Sequence, residues 1–292
     1  VCARVCVCVR VCVSVCVRDW VCAYVHVHRY AQCSTLEERL FVLTTLGDDR
    51  SVAATYVAGV LQLPEAVLPI DPYVLGAWLG DGTSSAGSMT SADEEVIKQF
   101  SGYQPRKLTA PYLWGTRGLM GELRALGVLN NKHIPQVYLR GSYHQRLALL
   151  QGLMDTDGTA AISGQCEFYS TSRPLIDGAL ELILSLGIKA RLREGRAKLY
   201  GKDCGPKYRI KFMTDLPVFK LQRKLSRQKR EGIRTSTQVR YIESITPVES
   251  RPVKCIQTAT GDYLCGDAMI PTHNSYIIRV VAMIYALTIP GC

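Results

Sequence analysis

The chain has 292 residues, a net charge of +10 and 47% hydrophobic residues. No uninterrupted apolar run reaches the length of a membrane span, and Arg4, Arg10 and Arg18 break the N-terminal one, which excludes a bilayer-spanning protein and a secretory leader. The twelve cysteines include no Cys-x-x-Cys pair, which argues against a zinc ribbon, and the basic balance points to a polyanionic partner.

In chain order, residues 1–33 form a low-complexity Val/Cys segment holding seven of the twelve cysteines. Val stands at nearly every odd position up to 28, but its alternating partner is apolar too, so no polar face emerges. A GT dinucleotide repeat encodes Val-Cys-Val-Cys, and one altered base gives Arg or His. The segment therefore reads as translated simple-sequence DNA, non-native or disordered, with a Cys22, His26, His28 metal site as the alternative. Residues 34–68 read as a weakly helical lead-in or linker ending at Pro64 and Pro69.

Two near-identical nonapeptides follow, Val74-Leu75-Gly76-Ala77-Trp78-Leu79-Gly80-Asp81-Gly82 and Leu150-Gln151-Gly152-Leu153-Met154-Asp155-Thr156-Asp157-Gly158, each continuing into Thr. Their repetition predicts an internal duplication. Each reads as an apolar helix ended by its Gly, and the i, i+4 spacing puts Gly76 with Gly80, and Gly152 with Thr156, on one small-residue face. Such faces let two helices meet at backbone distance. Asp81 and Asp157 then stand at helix C-termini, where the macrodipole disfavours a carboxylate and a divalent cation offsets the cost. A calcium loop from Asp155 fails, because its sixth position is Ala160 and its twelfth Cys166.

Beyond the repeats, Gln165–Ser170 and Tyr208–Phe212 alternate as strands, and residues 174–186 read as an amphipathic helix. Between 187 and 234 sixteen basic residues stand against four acidic ones. Within that stretch Lys207, Arg209 and Lys211 share one strand face suited to DNA, whereas 222–240 reads as a basic linker or a flexible tether. Val253–Thr258 and Asp262–Cys265 read as late strands, and Ser275–Met283 as a buried helix.

The paired nonapeptides resemble the motifs of LAGLIDADG homing endonucleases of the dodecapeptide type carried inside inteins. Leu126-Gly127-Val128 through Lys132-His133-Ile134-Pro135, and Leu186-Gly187-Ile188, are similar to the family's further segments, and Met269-Ile270-Pro271-Thr272-His273-Asn274-Ser275 resembles an intein C-terminal splice junction. The resemblance implies an α+β fold. Its core over 69–221 is an αββαββα unit repeated twice, with two four-stranded sheets forming a saddle over DNA. A partial β-rich splicing segment (Hint-type) follows over 241–274, and residues 275–292 are the start of the host protein. The implied activity is Mg²⁺-dependent double-strand DNA cleavage, with Asp81 and Asp157 as metal ligands and Lys132 stabilising charge. Asp155, whose counterpart is Leu79, is not expected to bind metal. At the junction the resemblance implies cyclisation of Asn274, a proton donated by His273, and Ser275 as nucleophile.

The sequence departs from the family in two places. No Thr-x-x-His motif precedes the repeats, so the N-terminal splicing half is expected to be missing or supplied by another chain, and Gly261-Asp262 stand where a histidine is usual. The expected partner is a long pseudo-palindromic duplex in the insert-free host gene, read by a monomer in the cytoplasm of a bacterium, on its own or under a phage. The host is expected to be an ATPase interrupted at its phosphate loop, such as a phage terminase large subunit. A self-processing intein fragment, a DNA-binding relic without nuclease activity and a pseudogene product are the alternatives.

Overall fold

The computed structural model describes residues 42–46, 50–233, 237–241, 258 and 262–273. The Val/Cys segment 1–33, Asn274, Ser275 and the host segment 275–292 lie outside the described residues, as does Val253–Thr258 apart from Thr258. The chain divides into two compact units, Gly59–Thr237 and a second one built from the segments on either side of it. Among the described residues no helix is long and apolar enough to cross a membrane.

The described residues of the flanking unit include antiparallel β-structure. Strands β1 (Val42–Leu46) and β2 (Arg50–Tyr56) form a hairpin. A later strand, Val239–Tyr241, pairs with β2, Val239 facing Tyr56. A separate hairpin joins Asp262–Cys265 to Ile270–His273. Residues 42–46 and 50–56 thus correct the helical reading of the lead-in. Their Val and Thr content suits a pleated strand better than a helix, and the second partner of β2 lies far along the chain.

The Gly59–Thr237 unit is built around two helices, α1 (Pro72–Asp81) and a later one, Tyr143–Thr156. Helix α1 starts sharply: the Asp71 carboxylate accepts from the Val74 amide at 3.1 Å, and Pro72 occupies the first turn, where its missing N–H costs nothing. Every residue from Tyr73 to Leu79 is buried, as an apolar helix without a polar face requires. Between the two central helices lie β3 (Met89–Thr90), α2 (Glu94–Lys98), β4 (Arg106–Lys107), β5 (Leu113–Gly115), α3 (Leu119–Ala125) and α4 (Gln136–Leu139). The strands form a sheet in the order β3-β5-β4. Here the expected four strands are three among the described residues, each only two or three residues long.

Helix α5 (Tyr143–Thr156) opens with a capping box between Ser142 and Gln145. The second half continues with β6 (Gly158–Ala160), β7 (Cys166–Ser170), α6 (Arg173–Ser185), β8 (Ala190–Leu199) and β9 (Lys202–Phe212), giving a four-stranded antiparallel sheet in the order β6-β7-β9-β8. Phe168, Ile210 and Phe212 on one sheet face join Leu175, Ile176, Ala179 and Ile183 of α6 in the core. This half matches the sequence expectation closely in its elements, and its sheet has the implied four strands.

The lead-in from 59 is part of this unit rather than a linker to it. The Tyr138 hydroxyl bonds both the amide and the carbonyl of Ile70, and the Gln145 side chain brackets Ala66 in the same way. Arg146, fully buried, donates to the carbonyls of Leu61, Gly141 and Ser185. At the other end the predicted linker 222–240 is corrected likewise. It begins with a one-turn helix, α7 (Gln222–Leu225), inside the unit, and it ends in β10 (Val239–Tyr241) of the flanking unit.

Candidate active site

Helices α1 and α5 meet backbone to backbone. A Cβ added at Gly76 would lie 3.1 Å from the Leu153 nitrogen and closer still to the Leu149 carbonyl oxygen, and one at Gly152 would lie 2.6 Å from the Ala77 nitrogen and closer still to the Tyr73 oxygen. At the next crossing the space beside Gly80 is filled by Thr156. The small-residue face read from the sequence is therefore the contact surface. The terminal glycines work differently from the expectation. Gly82 is extended, at φ −71° and ψ 149°, and Asp157 rather than Gly158 is the C-cap of α5. A Cβ at Gly82 would strike Trp78, and one at Gly158 would strike Met154, so these positions require the absence of a side chain rather than a left-handed backbone.

This crossing brings Asp81 and Asp157 together. Asp81 ends α1, Asp157 follows α5, and a carboxylate oxygen of Asp157 stands 3.5 Å from where a Gly80 Cβ would be. Burial pushes the Asp81 carboxyl above the usual carboxylate range, against the pull of Lys132 and Lys224. The Asp157 carboxyl is pushed up to about 6, first by burial and then by the facing Asp81 charge. Each side chain therefore resists ionising.

Two lysines frame the pair. The Lys132 ammonium donates to the carbonyls of Gly80 (2.8 Å) and Gly82 (2.7 Å), closing the C-terminal end of α1, and lies over the Trp78 ring. The Lys224 ammonium does the same for α5. It donates to the carbonyls of Met154 (3.0 Å), Asp155 (2.7 Å), Thr156 (3.1 Å) and Gly158 (2.7 Å). Cations here satisfy orphan carbonyls and oppose the negative helix end. Burial lowers the proton affinity of both amines, and nearby carboxylates raise it: Asp157 and Asp81 at Lys132, Asp155 and Asp81 at Lys224. Lys224 went unnoticed in the sequence because it sits within a basic run. The duplication was the available signal, since two copies of a helix end call for two capping lysines.

Asp155 does not join this group. Its carboxylate is buried and accepts from the Tyr73 hydroxyl and from backbone amides at 220 and 221.

On the second sheet, Tyr208, Ile210 and Phe212 point inward, so Lys207, Arg209 and Lys211 alternate onto the opposite face. Glu167 of β7 was not anticipated there. It pairs with Lys211 at 2.6 Å and with Arg209 at 3.9 Å, and the two cations hold its carboxyl below the usual range against the opposing effect of burial. Lys207 lies over the Tyr169 ring, 4.6 Å from its centroid. Arg191 and Arg193 extend the basic rows across β8, opposite Lys211 and Arg209.

Among the described residues no group of three or more His, Cys, Asp or Glu side chains could hold a metal ion. Two facing carboxylates whose ionisation is unfavourable suit an ion that keeps most of its water, which is the habit of Mg²⁺ rather than of zinc. The backbone of His273 ends the last described strand, and Asn274 and Ser275 lie beyond the described residues.

Residues 144–243 match the family model described as a LAGLIDADG-like domain. The chain is also similar to a protein named Replicative DNA helicase DnaB from Mycobacterium intracellulare, with 38% identity over 248 residues, which are 84% of this chain and 40% of the relative. The chain thus spans about two fifths of the length of that relative.

Proposed function

We propose that this chain, which belongs to the LAGLIDADG family, cuts both strands of a DNA duplex and does so as the endonuclease of an intein in a replicative helicase. The observation that carries the reading is the Asp81–Asp157 pair at the crossing of α1 and α5, flanked by Lys132 and Lys224. A bound Mg²⁺ lowers the pKa of an attacking water and neutralises charge on a leaving oxygen. Asp81 and Asp157 would hold it, and the two ammonium groups supply fixed positive charge on either side. Lys207, Arg209 and Lys211, with the arginines of β8, give the second sheet a face that neutralises phosphates. The two halves differ in strand length and strand number, so one monomer would read two unequal half-sites in the bacterial cytoplasm.

The insertion reading rests on the relative. A chain with an endonuclease domain that matches a much longer protein named as a helicase is what an insertion in a helicase gene would produce. A helicase host is therefore favoured over the terminase-type ATPase expected from the sequence. The test is Mg²⁺-dependent cleavage of the uninterrupted helicase gene by the full chain, with Asp81→Asn/Asp157→Asn as control. Linear product from the parent alone is expected. Equal cutting by both proteins, or cutting without divalent metal, sinks the assignment.

Self-processing is a second reading. Strands β1 and β2 precede the Gly59–Thr237 unit, and β2 pairs with β10 after it, which supports a β-rich fold interrupted by that unit. The hairpin of β11 (Asp262–Cys265) and β12 (Ile270–His273) ends one residue before Asn274. Cyclisation of Asn274, with His273 as proton donor, would release a peptide beginning at Ser275. Mass spectrometry should find that peptide from the parent and not from Asn274→Ala; release from the variant would rule out the succinimide route.

A further inference from the structure

The two motif helices carry the same small-residue face and the same terminal Asp, but they differ two residues before it. The first copy has Leu79 and the second has Asp155. A carboxylate at the end of a buried helix is costly twice over, from desolvation and from the macrodipole. Asp155, only 3% exposed, is nonetheless fully used. It accepts from the Tyr73 hydroxyl of α1 at 2.8 Å, from the Lys220 amide at 3.1 and 3.2 Å, and from the Leu221 amide at 3.2 and 3.3 Å. Leu221 is the residue on which α7 begins.

Helix α7 is four residues long, too short to hold its shape alone. Its third residue is Lys224, whose ammonium reaches four carbonyls at the end of α5, one of them that of Asp155 itself. Asp155 thus grips the front of the turn while Lys224 grips the end of the same helix from inside the turn. Lys132, by contrast, is carried on a segment whose own carbonyl accepts from the Ser172 hydroxyl at 3.2 Å.

We propose that Asp155 is a positioning residue for Lys224. It anchors the Lys220–Leu221 backbone, and through that anchor it fixes one of the two lysines beside the Asp81–Asp157 pair and leaves the other independent. The consequence for cleavage rests on the nuclease reading above. Losing Asp155 should weaken one half of the site selectively, so that one DNA strand is cut normally and the other slowly.

The primary test needs neither DNA nor metal. The full chain is labelled competitively with acetic anhydride, and the extents at Lys224 and Lys132 are read by mass spectrometry. Asp155→Asn keeps the shape but weakens the acceptor, and should raise labelling of Lys224 about tenfold with Lys132 unchanged. Tyr73→Phe removes one donor and leaves the carboxylate in place; it should give a smaller rise at Lys224 alone, and it serves if Asp155→Asn does not fold. A parallel rise at both lysines, or no rise at either in both variants, overturns the proposal. With supercoiled plasmid carrying the target, Asp155→Asn should accumulate nicked circles, whereas equal slowing of both strands overturns it. A parent that cuts no DNA defeats the nuclease reading and leaves the labelling result to decide the role of Asp155.

Discussion

Asp157→Asn is expected to stabilise the metal-free protein at pH 8 while lowering cleavage by about a thousandfold or more, as loss of a group holding transition-state charge does. The sign follows from the proton balance. The carboxyl has a pKa of about 6 in the fold against an ordinary value of 3.8. The folded state therefore favours the protonated form. Its contribution to stability is fully present below 3.8 and is lost as pH rises through about 6. At pH 8 the parent carries the whole penalty. Asp157 is partly exposed, so solvent screening leaves about 1–2 kcal/mol of it. The amide removes that penalty, and the unfolding midpoint should rise by about 2–6 °C.

Added Mg²⁺ should reverse the order, stabilising the parent by mass action and leaving the variant unchanged. Thermal unfolding at pH 5 and pH 8, with and without Mg²⁺, gives all four comparisons. At pH 5 about half of the difference should remain without metal, because the unfolded carboxyl is already ionised there while the folded one is still largely protonated. A variant less stable than the parent at pH 8 without Mg²⁺ would show that the carboxylate is an ordinary helix cap and would remove the electrostatic case for a metal there.

How much of this was legible in the sequence depends on whether a signal is local or paired. The α1–α5 crossing could be read because the duplication displays both partners, and Gly76 and Gly152 mark the contact. The elements of the second half could be read because α6 has a helical apolar period and β7 and β9 alternate over five or more residues. The first sheet could not, since strands of two or three residues are shorter than any period that would reveal them. Residues 42–46 and 50–56 are strands where a weak helix is expected, and Val42, Thr44, Thr45, Val52 and Thr55 are the β-branched residues that favour the strand. The second partner of β2, Val239–Tyr241, lies far along the chain and is too short to be seen by itself. Lys224 was hidden by its neighbours Arg223, Arg227, Lys229 and Arg230, since charge density says where a surface is basic and not which lysine turns inward. Glu167 was missed for the opposite reason. A single acidic residue in a basic half looks incidental until register sets it opposite Lys211.

Gly152→Ala is expected to cost about 3–5 kcal/mol, well above the usual range for a single added methyl, and to abolish cutting. The methyl would lie 2.6 Å from the Ala77 nitrogen and closer to the Tyr73 oxygen, both backbone atoms of a helix buried along its length. Backbone cannot swing aside as a side chain can, so α1 and α5 must separate, and the packed core around them resists that movement. Gly76→Ala meets the Leu149 carbonyl in the same way and should behave alike. Gly121→Ala is the counter-case. It lies within α3, with nothing inside 4 Å of the added methyl, and should stabilise by about 0.5–1 kcal/mol through helix propensity alone. Urea unfolding of the three variants separates close approach from propensity, because propensity favours alanine at every one of these positions. The crossing also sets the Asp81–Asp157 separation, so a Gly152→Ala protein that remains folded should still lose Mg²⁺-dependent stabilisation. Retention of both stability and metal response would mean that the helices can slide past each other without moving the carboxylates, and the small-residue face would then be a packing convenience rather than what holds the site together.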